Sequence, residues 1–185
     1  MRGVVAAAAA VSVVLLAGCG VDGGPLSQPP EHGWATYASV GATFTDGLEV
    51  LYLEGDREAV IRNVELVGND GLELVGAHLA PPGRKLAAIQ HIDGWPPLDP
   101  DLPETRDAID ATITPTRTGD WKQEQGWNLL VGVRVTEAGY LVRDGIRITY
   151  EVGGREYERE LPAELVVCTS REMLNRNGDC PFPGE

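Results

Sequence analysis

From Trp34 onward the apolar residues recur with period two rather than 3.6, the pattern of strands that bury one face and wet the other. Leu48–Glu54, Glu58–Gly68, Leu72–Leu79, Lys85–Ile92, Trp127–Thr136, Gly145–Val152, Arg155–Glu160 and Leu165–Thr169 are short and rich in Val, Ile, Leu, Tyr and Thr. Gly, Pro, Asp or Asn punctuates them. Thr43–Thr45 and Thr112–Thr116 carry weaker versions of the same signal. Helical periodicity is poor throughout, with Arg171–Leu174 able to supply a single turn. Eight or so short strands without crossover helices predict an all-β fold, an antiparallel β-sandwich of seven to nine strands.

Two hairpins follow from turn chemistry. Val152-Gly153-Gly154-Arg155 has a two-residue centre that accepts positive φ twice. Centred there, Tyr150 faces Tyr157, Ile146 faces Leu161 and Arg147 faces Glu160, giving one apolar face and one charge-paired face. Gly68-Asn69-Asp70-Gly71 can turn at Asn69-Asp70 or at Asp70-Gly71. The second choice pairs Leu66 with Val75 and Val64 with Ala77, and places His78 opposite Asn63, so it is preferred for its consistent apolar face.

The N-terminus reads differently. Arg2 precedes an apolar and small-residue run, Val4–Leu16, whose one polar residue is Ser12, and Leu16-Ala17-Gly18-Cys19 follows directly. As a helix the run would be about 20 Å long, short of the roughly 30 Å hydrocarbon core, so it suits a cleaved signal better than a permanent span. These residues resemble the signal peptide and lipobox of bacterial lipoproteins. The resemblance implies removal of residues 1–18 and acylation of Cys19. The chain would then sit on the extracytoplasmic face of the cell membrane, held by its N-terminal lipid. Residues 19–33, with Gly20, Gly23, Gly24, Pro25, Pro29, Pro30 and Gly33, read as a flexible linker reaching up to about 40 Å. Residues 34–185 are the folded domain. Over Leu48–Cys168 the strand pattern resembles Ig-like β-sandwich modules of bacterial envelope lipoproteins. That implies architecture and brings no catalytic motif; no early-strand cysteine is present for an inter-sheet disulfide of the antibody type.

The chain has 28 acidic and 15 basic residues, a formal charge of −13 that becomes −14 when Arg2 is removed. Such a surface repels phosphate backbones, so nucleic acid is not expected as a partner. Outside the cytoplasm Cys168 and Cys180 are expected to form a disulfide, worth about 3 kcal/mol for so short a loop. A metal site on the same pair is disfavoured, because no His or Cys lies between them.

Candidate chemistry is sparse, and no cofactor is expected. His78, His91 and Asp93 would suit Zn²⁺ or Cu²⁺ if their strands were adjacent; otherwise they are surface residues on unrelated strands. The long segment Gly94–Asp110 holds four prolines, and Asp99, Asp101 and Glu104 offer hard oxygens for Ca²⁺ or simply a solvated loop. Asn175–Asp179 lacks the alternating ligands of a calcium loop. Gly-x-Ser-x-Gly is absent, Ser39 and Ser170 have no base nearby in sequence, and no glycine-rich phosphate loop exists. Trp95 and Trp121 sit in loop-like segments, where they form a contact surface with Asp99 and Asp101 or fold back as lids. Trp127 is expected in the core. Together these features point to a non-catalytic, lipid-anchored module that binds an envelope protein or polymer. A metal- or small-ligand-binding lipoprotein using His78, His91 and Asp93 comes second, and a cell-wall hydrolase third.

Overall fold

The computed structural model describes residues 23–28, 32–68, 70–83, 89–98, 102, 104–116 and 126–182. They form eleven strands: β1 Leu26–Ser27, β2 His32–Tyr37, β3 Thr43–Leu53, β4 Ala59–Val67, β5 Leu72–Ala80, β6 Ile89–Asp93, β7 Arg106–Asp107, β8 Thr112–Ile113, β9 Trp127–Val135, β10 Tyr140–Val152 and β11 Arg155–Cys168. A 3₁₀ turn at Arg171–Met173 is the one helical element among the described residues. One sheet runs β1–β3–β9–β5–β7 with β6 also beside β3; the other runs β2–β11–β10–β4–β8. Every pairing is antiparallel except β2 with β11. The fold is thus an antiparallel β-sandwich. Its eight longer strands carry the core, with Leu51, Leu53, Ile61, Leu79, Leu129, Ile146, Ile148 and Leu165 fully buried between the sheets.

The β10–β11 hairpin has the expected register. Tyr150 faces Tyr157, Ile146 faces Leu161 and Arg147 faces Glu160 across a turn with Gly153 at φ 59° and Gly154 at φ 84°. β11 is one strand of 14 residues, not two. It passes Pro162 at a register shift in β10, where Gly145 lies opposite; a Cβ on Gly145 would stand 2.5 Å from the Leu161 carbonyl oxygen.

The second expected hairpin is corrected. β4 and β5 do not pair; β4 lies against β10 and β5 against β9, in different sheets. The chain therefore passes from one layer to the other between Val67 and Leu72. A β4–β5 ladder would have matched apolar residues locally. The observed pairing places Val64 opposite Ile148 and Leu66 opposite Ile146, and it gives both strands two-sided partners.

The linker expected over 19–33 is shorter than its composition implies. Leu26 pairs with Leu53 and is 1% exposed. The Tyr150 hydroxyl accepts the Leu26 N–H at 3.0 Å and donates to the Gly23 carbonyl at 2.6 Å. One apolar side chain with a core slot outweighs its Gly and Pro neighbours. Removing that hydroxyl with Tyr150→Phe is expected to cost about 1–3 kcal/mol in chemical denaturation, since it orphans a buried N–H.

The disulfide between Cys168 and Cys180 is formed, with Cα atoms 5.6 Å apart. It folds the C-terminal segment over the outer face of the β2–β11–β10 sheet, where Cys180, Leu174 and Phe182 pack on Val166 and Val142.

Between the sheets lies an ionic cluster that alternation alone does not suggest. The Arg143 guanidinium reaches Asp46 at 2.7 Å and Glu49 at 3.9 Å, with the Arg143 and Asp46 side chains wholly buried. Its Nε and Nη2 also donate to the Ala163 carbonyl. A register shift in β3 between Asp46 and Glu49 turns both carboxylates inward. Asn128 donates to the carbonyls of Gly47 and Glu49 within that bulge.

Candidate binding cleft

The sandwich has an edge where β2 of one sheet approaches β6 of the other. Residues 91 and 93 share a face of β6, because side chains on a strand alternate. The His91 ring stacks on Phe44 of β3, with centroids 4.9 Å apart and planes 11° apart, and stands edge-on to Trp34 at 6.1 Å. Its Nδ1 lies 3.3 Å from the Thr36 hydroxyl and its Nε2 lies 3.1 Å from Asp93 Oδ1. One tautomer satisfies both contacts: Thr36 donates to Nδ1, and Nε2–H donates to the carboxylate. The imidazole thereby stitches the two sheets together at their open edge.

Beside it opens a cleft of about 260 Å³ lined by Tyr37, Ser39, Thr43, Phe44, His91 and Asp93. Tyr37 at its rim is 37% exposed, shares a 3.2 Å hydrogen bond with Ser39 and lies 6.0 Å under the Arg171 guanidinium. Rings on the wall and hydroxyls with one carboxylate at the mouth suit a ligand having both an apolar body and hydrogen-bonding groups. The Thr36–His91–Asp93 line has the order of a hydroxyl–imidazole–carboxylate relay. The Asp93 side chain, however, is fully exposed (102%). Water screens such a carboxylate, whereas a catalytic one is buried to hold its imidazole in orientation. The line fixes the imidazole ring in place.

The structure separates the expected metal residues. His91 and Asp93 form a pair, but His78 is on β5 with β3 and β9 in between. His78 also points to the opposite face, its ring 4.7 Å from Trp95 and its strand position opposite Asp107. The expectation that joined them required their strands to be adjacent, and β5 and β6 are not. Among the described residues no group of three or more His, Cys, Asp or Glu is placed to hold a metal ion.

Trp95 folds back as a lid. Its indole lies on the paired Gly76 and Gly132, where an added Cβ would come within 2.7 Å and 2.4 Å of it. Ile92, Ala80, Leu102 and Leu130 complete this satellite cluster on the outer face of the six-stranded sheet. Trp95→Ala is expected to lower stability by about 2 kcal/mol in thermal or chemical unfolding, through lost burial. Gly132→Val should do likewise by displacing the same ring. Glu104 is exposed at φ 52°. Cys19, Asp99, Asp101 and Trp121 lie outside the described residues.

Elsewhere the charged groups make surface pairs. The hydrogen bond that Arg147 donates to Glu160, then the charges of Glu158, Glu160 and Glu65, hold its guanidinium above its usual pKa. Glu151 and then Asp110 do the same for Arg62. Exposed pairs of this kind contribute little to stability.

No protein family matches this chain, and no curated protein shows significant similarity to it. Among solved structures it is similar to a family 123 glycoside hydrolase from Clostridium perfringens, studied for glycolipid glycan hydrolysis, at 13% identity and a TM-score of 0.34. That match covers 73% of this chain and 22% of the other. Likeness at this level says nothing about activity.

Proposed function

We propose that this chain is a non-catalytic, lipid-anchored β-sandwich that works outside the cytoplasm and binds another envelope component, protein or polymer, at the β2–β6 edge. The observation that carries the binding assignment is the ring-walled cleft, with His91 held by Thr36, Phe44 and Asp93. Such a preset wall binds without first having to order itself. The anchor rests on Leu16-Ala17-Gly18-Cys19 after its apolar run.

Two experiments bear on the two halves of this reading. Cys19→Ser should move the protein from the membrane fraction to the medium or soluble envelope; retention in membranes contradicts the anchor. A photoreactive residue at Tyr37 should give discrete crosslinked products in intact cells that the same residue at Asp56 does not. Identical patterns from both positions contradict the cleft.

A further inference from the structure

We infer that the sandwich itself, not a flexible linker, sets the height of the β2–β6 cleft above the membrane. Its N-terminal segment is clamped at the pole opposite the cleft. This rests on the acylated Cys19 of the proposed function.

The clamp is built from described residues. Besides the two Tyr150 hydrogen bonds, Gly24 sits at φ 63° so close to the Tyr150–Tyr157 pair that a Cβ would meet the Tyr150 hydroxyl at 2.4 Å and the Tyr157 ring at 2.6 Å. Gly23 lies against the Arg159 side chain, and the Glu54 N–H donates to the Pro25 carbonyl at 2.9 Å. Between Cys19 and Gly23 stand residues 20–22. Four Cα steps, even fully extended, reach no more than about 14 Å. The acyl chains therefore cannot lie far from the pole that carries Tyr150, the Gly153-Gly154 turn and the loop over residues 54–58.

β11 connects this pole to the cleft. Tyr157 is paired with Tyr150 near its start, and Val167 and Cys168 at its end are paired with Thr36 and Tyr37. Eleven residues at about 3.3 Å each put the two levels roughly 36 Å apart along the strand. The distribution of apolar surface agrees. Of the six exposed large apolar residues among those described, Tyr37, Val40, Tyr140 and Met173 lie at the cleft end. Ile109 alone lies near the clamped pole, beside Asp110, which bonds Ile61 opposite Tyr150, and residues 54–58 there are exposed and mostly charged. The polar end faces the headgroups and the apolar end faces a partner. A component that docks there does so at a defined distance from the bilayer.

The test uses the acylated full-length protein in liposomes whose headgroups carry a fluorescence quencher, with one fluorophore at Asp56→Cys or at Val40→Cys. Quenching at 56 should exceed quenching at 40 several-fold. A long Gly–Ser insertion after Asp22 should erase most of that difference. Equal quenching at the two positions on liposome-bound protein overturns the inference and leaves the anchor standing. Protein that carries no acyl group on Cys19 and fails to bind liposomes overturns the anchor, and the inference with it.

Discussion

Asp46→Ala combined with Glu49→Ala is expected to destabilise the domain by about 3–5 kcal/mol, because together they strand the Arg143 guanidinium between two sheets with no carboxylate and no water to compensate it. The Arg143 and Asp46 side chains are both 0% exposed, and their 2.7 Å contact joins β10 of one sheet to β3 of the other. The Ala163 carbonyl keeps its two hydrogen bonds from Arg143 in the variant, but a dipole does not neutralise a full charge. Domains of this size are stable by about 5–15 kcal/mol in all, so the loss should show as a large fall in the urea midpoint. The same reasoning gives a second arm. Replacing Asp46, Glu49 and Arg143 together by Leu, Leu and Met removes every member of the cluster. Stability should recover to near the starting value, as it does when buried ion pairs give way to well-packed apolar groups. A loss below about 1 kcal/mol for Asp46→Ala with Glu49→Ala would mean that water reaches this cluster.

Loss of the disulfide is the other large effect. Cys168→Ala with Cys180→Ala, or reduction under native conditions, should cost about 3 kcal/mol by freeing the loop the bond closes. Cys168 is fully buried at the end of β11, and Cys180, Leu174 and Phe182 cover the sheet beside it. The tail is also tied by the Tyr140 hydroxyl, which donates to the Pro181 carbonyl at 2.6 Å. The expected outcome is a lower midpoint with the sandwich still formed, read by unchanged far-ultraviolet dichroism. A midpoint unmoved by reduction would show that apolar packing alone holds the tail.

The parts of this fold that were legible in the sequence are those set by local chemistry. The Gly153-Gly154 turn allows few registers, and one of them aligns Tyr150 with Tyr157 and Arg147 with Glu160, so that hairpin could be written residue by residue. Residues 68–71 offered an equally tidy local solution, yet their strands joined different sheets. Pairing of β4 with β10 joins residues some eighty positions apart, and nothing in a short window weighs that against the nearer partner. β3 was read as two pieces because Asp46 and Glu49 break the alternation around Gly47; a bulge carries the strand through and aims both carboxylates at Arg143.

The cleft was half visible. His91 and Asp93, two apart on a strand, had to share a face, and they do. Thr36 and Tyr37 were missed because β2 adjoins a Gly- and Pro-rich stretch taken as linker. The run Trp34-Ala35-Thr36-Tyr37, rich in strand formers, was the available signal. His78 would join His91 and Asp93 only if their strands were adjacent; β3 and β9 separate them, and its actual neighbour, Trp95, arrives from a loop after β6.

The account stands most directly on the chemical state of residue 19, and intact-protein mass spectrometry of material extracted from membranes reads it. The predicted result is a mature chain beginning at Cys19 with the added mass of its acyl chains. A chain that retains residues before Cys19, or one that begins there with a free thiol and amine, would contradict it.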